Sequence, residues 1–443
     1  MKFSKFNLIT IDEDTGKIIL FNTLQGNCVE IEDDLKDIIE AGEPAQLTAE
    51  TLKMFEQLGI VVDDNVDENR IFSYFHDREK FSSDTLNSTV LLTWACNLKC
   101  VYCFEGEHNS IVTMNRESAD VYIKFIKQYA IAKKVKNIVI NLFGGEPMVN
   151  IEIGYYILDS IKRFCEDKQL NFVSTIITNG TLITEEKLNR LLTFNCRSIQ
   201  VTLDGIREIH DARRMDKQGK GTFEKIIETL KLLNRKVAET RSFGTVIRIN
   251  IDKVNIDETY RLLEYIGKEG LNLTNCTVDF GIVRGLTESC SAYSSNCFVE
   301  EEIGSVLYDL WDAAEAQGFF YNIRPMRRWL YCGLYGDNQY TITPDCEVYK
   351  CWEQAGDKAH YIGRLDENGN IVDIRYAFYD WMSHNPINCE DCRNCTYLPS
   401  CGGGCGIVSY ANSSTYHEAG CFKVKGVVEK QLIRYYKKRG ELK

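Results

Sequence analysis

No run of apolar residues in the chain approaches the roughly 20 that a membrane-crossing helix needs. Its first residues, Met1-Lys2-Phe3-Ser4-Lys5, pass straight into strand-like sequence instead of an apolar stretch with a small-residue cleavage site. No membrane-spanning helix is expected, export is not expected, and the cytoplasm is the expected compartment. Basic charge is also short. Against 64 Asp and Glu stand 52 Lys and Arg, a net charge of −12, without the cationic footprint that binding nucleic acid through its phosphates requires. A neutral or cationic peptide partner remains compatible with that field. Histidine is scarce, six in the chain, and only His210 stands inside a motif.

Cysteine is what the sequence has in excess. Eighteen thiols in a chain of 443 residues, expected in a reducing compartment, do not read as a disulfide framework, and metal is the leading alternative. The length suggests two or three domains of roughly 150 residues, although one α/β barrel can absorb more.

Apolar residues at strand spacing (Phe6 and Leu8, Ile9 and Ile11, Ile18 and Leu20) flank the turn Glu13-Asp14-Thr15-Gly16 and predict a hairpin. A short strand around Val29 and Ile31, helices over Asp33–Ala41 and Ala49–Leu58, and a wing strand Gly59–Val62 complete a winged-helix-like unit over residues 1–80. The polar stretch Asp77–Ser88 reads as a linker. From residue 89 the period alternates between strand and helix, the signature of βα units on a parallel sheet. Strands are expected at Val90–Thr93, Asn137–Leu142, Asn171–Thr178, Ser198–Leu203, Thr245–Ile251 and Thr277–Ile282, with helices at Arg116–Ala132, Ile153–Cys165, Glu185–Leu192, Thr222–Leu233 and Asp257–Lys268. The fold class is therefore α/β, a partial (β/α)6 barrel of the TIM type over 89–285, with its chemistry expected where strands end. A bridging helix region follows over 286–330, with the helix at Val299–Gly318, then a cysteine- and glycine-rich region over 331–425 and a terminal helix within 426–443. The cysteine-rich region is expected to bury little apolar core and to take its order from metal.

The sharpest motif is Cys96-Asn97-Leu98-Lys99-Cys100-Val101-Tyr102-Cys103, on the loop after the first barrel strand. Three thiolates hold three irons of a cubane and leave the fourth open. Gly144-Gly145-Glu146-Pro147 ends the second strand, where two glycines permit close backbone approach and a carboxylate can accept from an ammonium. Asn179-Gly180 ends the third strand and Thr202-Leu203-Asp204-Gly205 the fourth, ahead of His210-Asp211 and Arg214, with Arg248 on the fifth. As turn and cap formers, Asp204 and Arg214 have an equally good plain reading.

On these motifs the chain resembles the radical S-adenosylmethionine enzymes over 89 to about 285. The resemblance implies a 4Fe–4S cluster on Cys96, Cys100 and Cys103, with Tyr102 beside it. It assigns the methionyl amine to Gly144, Gly145, Glu146 and Pro147, and makes Asn179, Thr202, Asp204, Arg214 and Arg248 candidates for the rest of the cofactor. It also implies that the open cluster reduces S-adenosylmethionine to a deoxyadenosyl radical that abstracts hydrogen, which leaves little work for histidine; the protein's part is to orient and exclude water.

The C-terminal thiols Cys332, Cys346, Cys351, Cys389, Cys392, Cys395, Cys401, Cys405 and Cys421 exceed what one tetrahedral site can use, so two metal centres are implied, with zinc as the competing metal. The array resembles the SPASM extension of peptide-modifying members. Carried over, Cys332, Cys351 and Cys405 would bind a first auxiliary 4Fe–4S cluster, and Cys392, Cys395, Cys401 and Cys421 a second. Cys346 stands where a glycine is usual and Cys389 is an extra thiol; either would be a fourth ligand to the first cluster, or that cluster keeps an open iron for a substrate thiolate. Cys290 and Cys297 are held open as further ligands.

The N-terminal unit, through Phe21-Asn22-Thr23-Leu24-Gln25-Gly26 and its helices, resembles the peptide-recognition domain of peptide-maturing members. A sheet with a free edge can accept a leader peptide as an added strand. The resemblance implies a maturase of a ribosomally made precursor peptide, joining cysteine sulfur to carbon as a thioether (the sactipeptide and ranthipeptide type), with a flavodoxin or ferredoxin as reductant. Carbon–carbon cross-linking is the neighbouring alternative. Sulfatase activation is another, set against by the N-terminal unit and by Trp352-Glu353 after Cys351, where those activators typically carry an aspartate proposed as base. A non-catalytic iron–sulfur protein is opposed by the triad and Gly144–Pro147, since an electron carrier needs no open iron and no amine site.

Overall fold

The computed structural model describes residues 1–105, 112–272, 275–286, 288–319 and 325–440. The segments expected over 286–330 and 426–443 therefore fall partly outside the described residues. The N-terminal strands Asn7–Ile11, Ile18–Asn22 and Asn27–Ile31 form an antiparallel meander in that order, with Leu8 opposite Phe21 and Leu20 opposite Val29. Alternation sends side chains of the middle strand to both faces. Ile18 and Leu20 pack with Phe55, Ile60 and Val61 under the helices Asp33–Ala41 and Ala49–Leu58. Ile19 meets Ile433 and Tyr436, and Phe21 meets Cys401, Val424, Val428 and Leu432. The expected wing strand is two residues, Val61–Val62, and pairs with Lys2–Phe3 instead of extending a hairpin.

The polar stretch expected as a linker is mostly structured. A helix runs over Glu68–Lys80, started by the Asp67 carboxylate accepting from the Asn69 amide. Its spacing was masked by polar residues, yet Phe72 and His76 are fully buried. The first barrel strand then begins at Thr85, not Val90, because Leu86 and Ser88 are buried between two neighbouring strands.

Six parallel strands, Thr85–Leu91, Asn137–Phe143, Asn171–Thr178, Cys196–Thr202, Gly244–Ile251 and Cys276–Ile282, follow one another in chain order across the sheet. Helices Arg116–Lys133, Ile151–Lys168, Glu185–Leu192, Phe223–Thr240 and Ile256–Lys268 return the chain between the successive pairs. Ile138, Ile140, Leu142, Ile199, Val201, Ile247 and Ile249 are fully buried, each worth roughly 1.5–3 kcal/mol of transfer free energy. Parallel strands bring every strand's C-terminal end to one mouth, where the sequence motifs lie.

The same sheet continues into the cysteine-rich region. Gln339–Ile342 pairs parallel to the first barrel strand, Gln339 opposite Asn87, and Glu347–Tyr349, Gly363–Leu365 and Ile371–Val372 add antiparallel strands to a total of ten. The expectation that residues 331–421 bury little apolar surface is corrected: Tyr340, Ile342, Val348 and Tyr349 are buried in the sheet, and Leu334, Tyr335, Trp381 and Tyr416 form a core beside Cys351. Strands of only two to four residues are too short to show a period.

Phe72 joins Phe6, Leu24 and Leu398 in one cluster with Cys389 and Cys392, so the N-terminal unit and the cysteine-rich region share a core. Phe72→Ala is expected to cost about 3–5 kcal/mol and to open residues 81–84 to limited proteolysis; an unchanged digestion pattern contradicts this shared core.

Candidate active site

The first strand ends at Leu91, and the loop carrying Cys96, Cys100 and Cys103 begins where Thr93 bridges Thr113. Within the loop Leu98–Cys100 forms a short antiparallel ribbon with Arg214–Asp216, Cys100 opposite Arg214. This pairing, invisible in the sequence, brings a guanidinium to the middle cysteine. Burial pushes the Cys96 thiol up to about 12, with the Glu146 and Cys100 charges adding to it. Burial also raises Cys100 and Cys103. Three such thiols ionise together only when a bound metal supplies the compensating charge.

The loop is held from behind by Gly144-Gly145-Glu146-Pro147. Gly145 N donates to Thr93 O and Glu146 N to Ala95 O, both at 2.9 Å. A Cβ on Gly144 would lie 2.4 Å from Thr93 O, and one on Gly145 2.5 Å from Ala95 O. The glycines are therefore required by close approach to the cysteine loop itself. Glu146 is fully buried. Its Oε1 accepts from Thr178 Oγ1 at 2.7 Å and Met148 N at 2.9 Å, and its Oε2 from Asn179 N at 2.7 Å. Burial raises its pKa and these donors pull it back down. Asn179 Nδ2 reaches Asn97 Oδ1 at 2.9 Å, tying the third strand's end to the cysteine loop.

Tyr102 is the centre of a second buried network. Its hydroxyl donates to Asp204 Oδ2 and accepts from Arg214 Nη1 at 2.7 Å and Asn250 Nδ2 at 3.1 Å. Asp204 is fully buried, and its Oδ1 accepts from Asn250 N at 3.1 Å. Arg213 Cζ lies 4.8 Å from the centre of the Tyr102 ring and its fork grips Asp252 at 2.8 and 3.2 Å. Asp204 and Arg214, read from the sequence as cofactor contacts, thus hold Tyr102 in place. Buried His210 receives the Asp204 amide on Nδ1 at 3.2 Å, and burial beside two arginines keeps it neutral. Arg213, Asn250 and Asp252 escaped the sequence reading, although Arg248, Asn250 and Asp252 at every second position of a strand end carry the period of a polar inner face.

Thr202 and Arg248 are opposite each other in register at the ends of the fourth and fifth strands. Arg248 pairs with Asp279, donates from Nε to Asn250 Oδ1 at 3.0 Å and lies across Gly281, where a Cβ would fall 2.1 Å from Nη2. Its side chain stays 31% exposed, in contrast to Arg214 at 9%, so of the two it is Arg248 that faces the mouth.

The C-terminal thiols sort into two groups. Cys332, Cys351 and Cys405 lie within electrostatic reach of one another around the Leu334, Tyr335 and Trp381 core. Cys392, Cys395, Cys401 and Cys421 line one cavity of about 560 Å³. The groups are stitched by Cys405 N donating to Gly420 O at 2.7 Å. Two expected ligands fall elsewhere. Cys346 is buried in a hairpin turn at φ +63°, a left-handed position that favours glycine, its thiol 3.6 Å from Ser118 O at the start of the helix Arg116–Lys133. Cys389 is not among the residues lining the cavity, but its side chain hydrogen-bonds that of Cys392, and it packs among Phe6, Leu24 and Phe72, 3.8 Å from the Glu418 carboxylate. Cys290 and Cys297 point to the carbonyls of Arg284 at 3.4 Å and Tyr293 at 3.8 Å. Among the described residues no three His, Cys, Asp or Glu side chains converge tightly enough to hold a single metal ion, whereas a cubane takes its ligands at separate corners.

Residues 90–266 match the family model of the Radical SAM superfamily, so the chain carries a radical SAM domain. It is 27% identical over 367 residues to the cysteine-type anaerobic sulfatase-maturating enzyme of Clostridium novyi (strain NT), across 76% of this chain and 93% of that one. It is 23% identical over 471 aligned positions to the radical SAM cyclopropyl synthase TigE of Paramaledivibacter caminithermalis, across 96% of each. The fold resembles that of Streptococcus suis SuiB in the crystal structure bound to precursor peptide SuiA, with TM-score 0.55 and 15% identity over 94% of this chain and 98% of that chain.

Gly145→Ala is expected to displace the cysteine loop at a cost of about 1–3 kcal/mol and to lower iron bound at the triad, read by iron content with circular dichroism as the folding control; full iron content contradicts the packing argument. Cys346→Ala is expected to keep the parent's iron and sulfide after anaerobic reconstitution and Cys395→Ala to lose one cluster, and the reverse pattern overturns the sorting.

Proposed function

We propose that the chain is a peptide maturase that forms an intramolecular cross-link, a cysteine thioether, in a ribosomally made precursor peptide. It would carry one 4Fe–4S cluster with S-adenosylmethionine at Cys96, Cys100 and Cys103, and two auxiliary 4Fe–4S clusters. The observation that carries the reading is the sorting of the C-terminal cysteines into one group of four and one of three. The four around the cavity would satisfy one cluster completely. The three would leave an iron without a protein thiolate, suited to a thiolate of the substrate, since Cys346 packs against Ser118 and Cys389 against Cys392 of the other group.

When bound, the open cluster and S-adenosylmethionine supply a carbon radical able to take hydrogen from an unactivated carbon. The chain's own residues orient and enclose. Gly145 and Glu146 fix the cysteine loop, Glu146 keeps acceptor capacity on Oε2 for an ammonium, and Thr202 and Arg248 are placed for a carboxylate or ribose. Tyr102, Asp204 and Arg214 seal the floor of the site. The leader segment would add to the edge strand Asn27–Ile31, which pairs on one side only. That SuiB is bound to its precursor peptide supports a peptide partner, and a flavodoxin or ferredoxin would supply electrons.

Carbon–carbon bond formation is the second reading, favoured by the end-to-end match to a cyclopropyl synthase. Sulfatase maturation has the relative of Clostridium novyi in its favour and the shorter match against it.

The test is the mass of a short cysteine-containing peptide encoded beside the gene after anaerobic incubation with enzyme, S-adenosylmethionine and reductant. Loss of a pair of hydrogens, abolished by alkylating the peptide's cysteines, is the thioether result. The same loss with cysteines blocked selects carbon–carbon bonding, and an unchanged peptide beside released deoxyadenosine contradicts cross-linking.

A further inference from the structure

Arg284 stands two residues beyond the sixth strand, where the barrel mouth meets the cysteine-rich region. Its guanidinium is held from three sides. Nη2 donates to both carboxylate oxygens of Glu353, at 2.6 and 2.7 Å. Nη1 donates to Cys405 Sγ at 3.4 Å, and Cζ lies 4.6 Å from the centre of the Phe422 ring. Glu353 is fixed in turn by the tight turn after Cys351, in which Gln354 N donates to Cys351 O at 3.2 Å. The side chains are 17% and 26% exposed, sheltered enough that the charges act on their surroundings with little screening.

A fork with one nitrogen on a carboxylate and the other on a cysteine sulfur is more than a staple between regions. A hydrogen bond to a ligating sulfur, and a cation beside it, stabilise the extra negative charge that a cluster carries when reduced, and so raise its reduction potential. A carboxylate at the same distance does the opposite. We infer that Arg284 and Glu353 are opposed positioning residues that set the potential of the auxiliary cluster held by Cys332, Cys351 and Cys405, Arg284 drawing it up through Cys405 and Glu353 holding it down. The inference rests on the reading of Cys405 as a ligand of that cluster. Its consequence is that the cluster nearest the barrel mouth is tuned to accept the electron released when a substrate radical closes its new bond, and the tuning lies in residues that ligate nothing.

Removing the cation leaves Glu353 unopposed, and removing the carboxylate leaves Arg284 unopposed, so the two variants should move the potential in opposite directions. The experiment is an anaerobic redox titration of the full, reconstituted chain followed by electron paramagnetic resonance, with iron and sulfide counted in each variant. Arg284→Gln is expected to lower the reduced-to-oxidised ratio of one cluster about tenfold at fixed potential, about 59 mV for a one-electron couple. Glu353→Gln is expected to raise it, and Arg284→Lys, which keeps the charge but loses the fork, to fall between Arg284→Gln and the parent. A staple would weaken the interface in both variants and leave the potential unmoved, or shift it in one direction, and either result with all clusters retained overturns the inference alone. If Cys405→Ala keeps its full iron and sulfide, the ligand assignment fails and the inference falls with it.

Discussion

The site depends on one backbone-to-backbone contact. The amides of Gly145 and Glu146 donate to the carbonyls of Thr93 and Ala95, at an approach that leaves no space for a Cβ on either glycine. This contact turns the loop of Cys96, Cys100 and Cys103 into a fixed platform for three cysteines. It also carries Glu146 into the interior, where amide and hydroxyl donors from the third strand compensate its charge. Every further element of the site hangs on that platform: Asn179 meets Asn97, Arg214 runs opposite Cys100, and Tyr102 drops onto Asp204. A buried carboxylate and buried guanidinium groups are tolerable only when they satisfy one another, and here they do so around a single tyrosine hydroxyl.

The second constraint is that the regions share apolar clusters with one another. The middle N-terminal strand Ile18–Asn22 is buried on both faces, one against its own helices and the other against Cys401, Val424 and the helix Val427–Arg439. The barrel sheet continues without a break into the cysteine-rich region. Metal ligation at Cys392 and Cys401 would therefore be felt by Phe6, Leu8 and Phe21, residues of the unit proposed to hold the leader peptide.

Much of this was legible in the sequence, and the failures share physical causes. Strands and helices of the barrel were readable because long runs keep one period, as in Glu185–Leu192, where expected and observed bounds coincide. The triad and Gly144–Pro147 were readable because their chemistry demands fixed spacing. The helix Glu68–Lys80 was hidden because its buried face includes His76 and Lys80 among charged neighbours. Cys346 misled because a thiol in a cysteine-rich region invites assignment as a ligand, whereas its backbone sits in a conformation that favours glycine. Arg284 and Glu353 lie 69 residues apart, and no local pattern announces a pair made by tertiary approach.

The measurement that bears most directly on the account is Mössbauer spectroscopy of the full chain reconstituted anaerobically with iron-57, with and without S-adenosylmethionine. Three four-iron clusters, about twelve irons per chain, with one iron of one cluster changing its spectrum when S-adenosylmethionine is added, is the predicted result. A single cluster, with zinc recovered in place of the other two, would contradict it.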